Sequence, residues 1–160
     1  MYDSITVANR FLELAADRQD TLTPMQLLKL VYIAHGWHLG LLGTPLLRDD
    51  IEAWQYGPVV PRLYRAIKQF RSQPVVGPLA GSANEKLDAN SDAIVQEVYD
   101  VYGRMSGPTL SRLTHAPGTP WAATYVPGGF GVDISNDLIE DHYQKLAAQN
   151  AEQDAQGASA

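Results

Sequence analysis

The sequence predicts a mostly α-helical protein, a compact single-domain helical bundle with a small extended or hairpin element around residues 46–60. Three observations predict this class. Apolar residues recur every three or four positions in several segments, which is the spacing of an amphipathic helix. Proline after a capping threonine marks two segment starts. Only residues 51–56 alternate apolar with polar or small side chains, as a short strand does.

Length and composition agree with a single packed domain. The chain has 160 residues, of which 45% are hydrophobic and 19% are charged. It contains no cysteine, which excludes disulfides, thiolate metal sites and a cysteine nucleophile. The first residues carry an acid instead of a basic segment, and no 18-residue apolar run follows. We therefore expect a cytoplasmic protein that does not enter the membrane.

The first two helices have the clearest patterns. Helical spacing of apolar residues predicts a helix over about 5–18, with Ser4 as its N-cap. Thr23, Pro24 and Gln26 then form the pattern of a capping box with proline at the first helical position. Residues 24–42 are apolar on most sides, and Gly43 gives a stop. This helix should be central and buried.

The middle of the chain is less regular. Gly57-Pro58 should break the short strand at 51–56, and Pro61 can open a third helix that ends near Phe70. Its predicted inner face consists of Leu63, Tyr64, Ile67 and Phe70. Prolines, glycines and small polar residues indicate a connecting loop over 72–90.

Four further helical segments follow. They begin near Ser91, near residue 109, at Pro120 after Thr119, and after Ser135, and a glycine-rich turn at 127–131 separates the last two. The inner face of the last helix is predicted to be Leu138, Ile139, His142, Tyr143 and Leu146. We expect the domain to cover residues 1–149 and the small, polar residues 150–160 to form a disordered tail.

Charge is distributed unevenly along the chain. The net charge is −6, which argues against broad nucleic-acid binding; residues 1–84 carry +1 and residues 85–160 carry −7. Arg62, Arg65, Lys68 and Arg71 recur every three residues in a stretch without acids, between Gln55 and Asn84. Such a basic stripe is either a solvated helix face or a contact for an acidic protein or a short phosphate group.

An aromatic and proline-rich cluster precedes this helix, at residues 54–61. Irregular segments on a rigid helical scaffold often carry recognition residues, and aromatic side chains and arginine are enriched at interface hot spots. The alternative is that Trp54 and Tyr56 fill a gap between helices. Both interpretations stay open at this point.

Residues that suggest chemistry are few. His35 and His38 lie one helical turn apart and could reach one metal ion, but no third ligand is visible, so packing in or beside the core is the alternative. Ser111, Thr114 and His115 could pair a hydroxyl with an imidazole, without a readable nucleophile motif. The glycines of 126–131 lack the lysine and hydroxyl of a phosphate loop and indicate a turn.

Several motifs together resemble a known family. The matching segments are residues 22–32, the Ala-His-Gly-Trp sequence 34–37, the Ile-Glu-Ala-Trp-Gln-Tyr-Gly-Pro-Val-Val-Pro sequence 51–61, Leu63-Tyr64, Leu110–His115 and Pro120-Trp121. They resemble the Panacea domain, also called the SocA-like or phage-associated GepA-like antitoxin family. The resemblance covers roughly residues 5–146 and departs at 116–119, where a proline and a glycine are added.

The resemblance implies a non-enzymatic antitoxin of a bacterial or prophage toxin–antitoxin system. Its partner would be a cognate toxin protein, neutralised by direct binding, with a cellular protease as a second candidate partner and no cofactor or metal. We predict that the toxin-binding residues are Trp54, Tyr56, Gly57, Pro58, Val59, Arg62, Arg65 and Lys68. The alternatives are a small metal- or histidine-dependent hydrolase and a DNA-binding regulator of its own operon.

Overall fold

The computed structural model describes residues 1–81 and 83–158. Its helices are α1 Ser4–Asp17, α2 Pro24–Leu42, α3 Pro61–Ile67, α4 Ala89–Tyr102, α5 Gly107–His115, α6 Pro120–Thr124 and α7 Asn136–Ala158. Two strands, β1 Glu52–Trp54 and β2 Gly57–Val59, pair antiparallel between α2 and α3. The predicted class, a mostly helical bundle with one small hairpin, is confirmed.

Helix α2 lies at the centre of the bundle. It contacts α1, α4, α5 and α7, and its wholly buried residues include Leu27, Leu30, Val31 and Ala34. The predicted capping box between Thr23 and Gln26 is present, and Gly43 ends the helix in the left-handed conformation with φ 73°. Because α2 is surrounded, each feature that it carries is fixed relative to the other helices.

Helix α7 packs unusually close to α2. A Cβ atom on Gly40 would lie 2.7 Å from the Cβ of Tyr143, and one on Gly36 would overlap the Tyr143 ring. The two glycines therefore make room for α7, and the same ring lies edge-on to Trp37 at 5.1 Å between centroids. Tyr143 is buried as predicted, but Leu138 is 41% exposed and does not belong to the inner face.

Three helices begin earlier than predicted. Asp3, not Ser4, is the N-cap of α1, since its side chain accepts a hydrogen bond from the Ile5 amide at 3.0 Å. Asp88 is the N-cap of α4 and accepts from the Ser91 amide at 2.8 Å, so Ser91 lies inside the helix. Helix α5 starts at Gly107. In the first two cases a carboxylate upstream of the serine supplies the cap, as carboxylates commonly do.

The hairpin differs from the prediction at Gly57-Pro58. These two residues form β2 instead of ending the extended segment, because Gly57 adopts φ 115° after a two-residue turn at 55–56 and pairs with Trp54. Residues 132–134 lie along the other edge of β1, where the Ala53 amide donates to the Val132 carbonyl at 2.9 Å. The hairpin is thus joined to the segment before α7.

The third helix is short. It ends at Ile67 and continues as a 3-10 turn over Lys68–Phe70, after which Arg71 takes a positive φ of 55°. The described residues from 71 to 88 contain neither helix nor strand, in agreement with the predicted loop. A long side chain at a positive φ is uncommon. Arg71 is exposed, and its amide donates to Lys68 O at 3.1 Å, which closes the turn.

The end of the described chain also differs from expectation. Helix α7 continues to Ala158, through a segment for which we predicted a disordered tail. Residues 150–157 are exposed, and the segment is rich in alanine and glutamine, which extend a helix without needing burial. The domain boundary at residue 149 stays a prediction, and residues 159–160 lie outside the described part. None of the described helices is long and apolar enough to cross a membrane.

Candidate functional site

The hairpin, residues 52–59, is held in place by side chains of three different helices. Three of its backbone carbonyls accept hydrogen bonds from distant donors. Trp121 Nε1 of α6 donates to Trp54 O at 2.5 Å, Ser111 Oγ of α5 to Tyr56 O at 2.7 Å, and Lys29 Nζ of α2 to Pro58 O at 3.0 Å. A short two-stranded hairpin is only marginally stable alone. These bonds therefore determine its position.

Lys29 is a cation inside an otherwise apolar region. The side chain is 2% exposed, and no carboxylate within the described residues forms an ion pair with it. Burial lowers the pKa of Lys29 to about 8. A Cβ atom on Gly57 would lie 2.9 Å from Lys29 Nζ, so glycine at 57 leaves the room that the ammonium group occupies. Sequence reasoning missed this residue, although a lysine between Leu28 and Leu30 was a visible signal.

The hairpin residues predicted to bind the partner are unequally accessible. Tyr56 is 66% exposed and lies in the turn between the strands. Trp54 is half-buried; its ring lies edge-on to Tyr64 at 4.9 Å, and its Nε1 donates to Glu52 at 3.0 Å. Gly57, Pro58 and Val59 are buried. Tyr56 is therefore the hairpin residue that presents the most surface.

The predicted basic stripe divides into two parts. Arg62 forms two hydrogen bonds with Asp3, at 2.8 Å from Nε and 2.7 Å from Nη2, and lies 3.8 Å from Asp49. This bidentate pair joins α3 to the start of α1 and raises the pKa of the guanidinium. Arg65 and Lys68 are exposed, and no described carboxylate pairs with either of them. Arg62 thus has a structural contact that the other two lack.

A groove lies between the hairpin, the start of α2 and the end of α3. Its volume is about 510 Å³. The residues that give it its character are Met25, Lys29, Trp54, Tyr56, Tyr64, Lys68 and Arg71. We call it the basic groove, since Lys29, Lys68 and Arg71 line it and no acidic residue of the described chain does. Tyr64 and Lys68 have the i, i+4 spacing of one helix face, a signal by which sequence reasoning could have grouped them. Arg71 reaches the groove from the turn after the 3-10 segment.

The two histidines of α2 make hydrogen bonds inside the protein. His35 Nδ1 accepts from the Leu47 amide at 3.2 Å, which leaves the proton on Nε2 to be donated to Asn136 Oδ1 at 2.9 Å. Burial lowers the pKa of His35 to about 4. His38 donates from Nδ1 to Thr44 O at 2.6 Å and accepts at Nε2 from Ser91 Oγ at 2.9 Å. Both rings are thus hydrogen-bonded at each nitrogen, as a structural role requires.

The candidate hydroxyl–imidazole pair also serves the fold. Ser111 Oγ lies 3.3 Å from His115 Nδ1, but its proton is donated to Tyr56 O. Thr114 donates to Leu110 O at 2.9 Å, within its own helix. The His115 ring contacts Trp121 edge-on at 5.3 Å. Within residues 1–81 and 83–158, no group of three His, Asp or Glu residues could hold a metal ion.

The glycine-rich segment 126–131 forms the predicted turn. The Gly129 amide donates to Val126 O at 2.8 Å, and Gly128 and Gly131 have positive φ values of 76° and 63°. Phe130 extends fully into solvent, beside a second cleft that Glu52, Trp54 and Tyr125 line on the other side of the hairpin. This cleft contains an acid and lacks the cations of the basic groove.

The residues that form the helical bundle and hold its hairpin in place are also the residues that assign the chain to a class of protein. The family described as "Antitoxin SocA-like, Panacea domain" matches residues 27–122, which include the hairpin and its three side-chain donors. The chain belongs to this antitoxin family, as the sequence resemblance predicted. It is similar to Antitoxin SocA of Caulobacter vibrioides (strain NA1000 / CB15N), with 31% identity over 155 residues that cover 89% of this chain and 82% of that protein. No solved structure matches the chain.

Proposed function

We propose that this protein is the antitoxin of a toxin–antitoxin pair and that it neutralises its cognate toxin by direct protein–protein contact. The family supports the general role. The hairpin supports the mode of action, because an exposed aromatic side chain, Tyr56, is carried on a backbone that three helices hold in place. A fixed aromatic residue loses little conformational entropy on binding and is typical of interface hot spots.

We place the contact surface at the tip of the hairpin and the neighbouring cations of α3. Tyr56 and the exposed edge of Trp54 supply apolar area, and Arg65 and Lys68 supply charge. Gly57, Pro58 and Val59 contribute by shaping the hairpin, since they are buried. Arg62 contributes by fixing α3 through its pair with Asp3. The predicted binding residues thus divide into contact residues and supporting residues.

The internal hydrogen bonds of His35, His38 and Ser111 favour this function over a hydrolase. In each case the group that catalysis would use already has a partner in the fold. We therefore expect substitution of these three residues to change the free energy of unfolding, because their hydrogen bonds belong to the fold.

Co-expression with the product of the neighbouring gene tests the proposed function. We expect that product to arrest growth when expressed alone and growth to recover when this chain is present. The two proteins should also co-purify. A neighbour that is harmless alone, or that stays toxic beside this chain, would contradict the proposal.

A surface variant tests where the contact lies. Tyr56→Ser combined with Arg65→Glu should keep the fold, because both side chains are exposed, and should weaken toxin binding on the order of tenfold or more. The matched control is Val101→Ser combined with Arg104→Glu, which makes the same kinds of change at exposed residues of α4 and the turn that follows it. Equal binding by the two variants would move the interface away from the hairpin.

A further inference from the structure

The basic groove has a charge opposite to that of the molecule. Among the described residues, three cations line it, Lys29, Lys68 and Arg71, and no acid does, while the whole chain has a net charge of −6. The remainder of the chain therefore carries −6 − 3 = −9. We propose that the basic groove binds an acidic segment of the partner protein, with a Glu or Asp side chain between Lys68 and Arg71 and a neighbouring apolar side chain against Tyr56 and Tyr64. This deepens the proposed function and rests on it.

Lys29 is the second observation that points to an acidic ligand. It lines the groove, yet it is buried, and within residues 1–81 and 83–158 its ammonium group has one hydrogen-bond acceptor, the carbonyl of Pro58 at 3.0 Å. An ammonium group has three donors and retains its full charge when a carbonyl is its partner. A buried charge without a counter-charge is costly, and a carboxylate arriving in the groove reduces that cost. The fold thus holds a cation that a partner's carboxylate stabilises.

The walls of the groove specify a protein segment instead of a nucleic acid. Met25, Trp54, Tyr56 and Tyr64 make much of the lining apolar, and the volume of about 510 Å³ accommodates a few side chains. The net charge of −6 repels a polyanion, and three cations neutralise only a few phosphates, so the charges favour a short acidic segment over a nucleic acid. A short segment that carries both an acidic and an apolar side chain complements the cations and the apolar walls of the groove.

The probe for this proposal is a blocked hexapeptide that alternates glutamate with leucine, compared with the same peptide carrying glutamine in place of glutamate. Amide and indole signals of the full chain are followed by NMR during titration. We expect the glutamate peptide to shift the signals of Trp54, Tyr64 and Lys68, and the glutamine peptide to leave them in place. Equal shifts with both peptides would overturn the proposal.

Two double variants separate the groove from net charge. Lys68→Gln with Arg71→Gln should weaken binding of the glutamate peptide on the order of tenfold. Arg104→Gln with Arg112→Gln changes the net charge equally at exposed positions outside the groove and should alter binding by less than about twofold. Equal weakening by both pairs, or tighter binding of a single-stranded oligonucleotide than of the glutamate peptide, would overturn the assignment.

The same variants separate this proposal from the proposed function. If the wild-type chain neutralises the toxin and the Lys68→Gln, Arg71→Gln variant does so equally well, the groove proposal fails and the antitoxin function stands. If the wild-type chain does not neutralise the neighbouring product at all, the proposed function fails, and the peptide titration still decides whether the groove binds acidic segments.

Discussion

At the scale of single residues, Lys29 is the most unusual group in the molecule. It occupies a position on α2 where its neighbours in sequence are leucines, and it reaches a carbonyl of the hairpin instead of solvent. A residue of this kind costs stability at neutral pH, since its charge is desolvated without a counter-charge. The hydrogen bond to Pro58 offsets part of that cost. Lys29 therefore links the stability of the core to the position of the hairpin.

The first prediction concerns the pH dependence of stability that Lys29 causes. The pKa of Lys29 is about 8 in the folded protein and 10.5 in the unfolded chain. Between these pH values the unfolded state binds more protons than the folded state, so the free energy of unfolding rises with pH. We expect wild-type stability, relative to Lys29→Met, to increase by about 3 kcal/mol from pH 7 to pH 10.5. Urea unfolding of both proteins at several pH values measures this difference.

The comparison with Lys29→Met isolates the effect that ionisation of Lys29 has on the stability of the fold. Tyr32 and Tyr143 are buried with raised pKa values, so the protein loses stability when the unfolded tyrosines ionise, but this loss is common to both proteins and cancels. The lost hydrogen bond to Pro58 adds a difference that does not vary with pH. A constant difference across the range would show that the ammonium group is solvated in the folded protein.

Single residues also explain why the candidate site could be predicted only in part from the sequence. The spacing of Arg62, Arg65 and Lys68 showed a basic helix, but their roles depend on Asp3, which is 59 residues away from Arg62 in sequence. The residues of the hairpin were identified as a group, yet Tyr56 is exposed and Val59 is buried because of how the hairpin turns. A pattern indicates which side chains are present, and tertiary packing decides which of them remain accessible.

At the scale of elements, the hairpin depends on other parts of the chain. Its three side-chain donors come from α2, α5 and α6, and all lie within motifs that the sequence shares with the family. We infer that a major role of these motifs is to fix the hairpin. This explains how a small two-stranded element can present a defined surface on a helical scaffold.

The second prediction tests this dependence. Ser111→Ala removes the donor to Tyr56 O, and we expect amide hydrogen exchange within residues 52–59 to become roughly fivefold faster, which corresponds to about 1 kcal/mol of local stability. The core amides of α2 should be unchanged. Thr6→Ala is the control, because it removes a hydroxyl of α1 that donates to Glu85, outside the hairpin and the three helices that hold it. Unchanged exchange in Ser111→Ala would mean that the other contacts suffice to hold the hairpin.

Element boundaries were predictable where the cap was unambiguous. Thr23 before Pro24 and Thr119 before Pro120 marked the starts of α2 and α6 at the residue observed. The starts of α1 and α4 were displaced because an aspartate upstream supplied the capping oxygen. The second strand was missed for a different reason. Gly57-Pro58 is ordinarily a break, and it becomes a strand here because Gly57 accommodates a positive φ next to Lys29.

In the whole molecule, the two halves of the chain differ in charge and in the surfaces that they expose. The hairpin and the basic groove belong to the first half, and the excess of acids belongs to the second half, which ends in α7. The last turns of α7 are exposed and carry Glu152 and Asp154. This arrangement leaves the end of α7 accessible while the basic groove is occupied. It suits an antitoxin that holds its partner at one surface and offers another to a second protein.

The third prediction follows from that arrangement and concerns the fate of the toxin after it is bound. We propose that the accessible end of α7 lets a cellular protease engage the complex, so that the toxin is degraded as well as masked. Deletion of residues 150–160 removes a segment in which residues 150–157 are exposed, and it should change the free energy of unfolding by less than about 0.5 kcal/mol. It should leave toxin binding intact and lengthen the lifetime of the toxin in a pulse-chase measurement. Equal lifetimes with the full and the shortened chain would show that a protease does not engage the end of α7, and a toxin lifetime that is the same with and without this chain would leave masking as the mechanism.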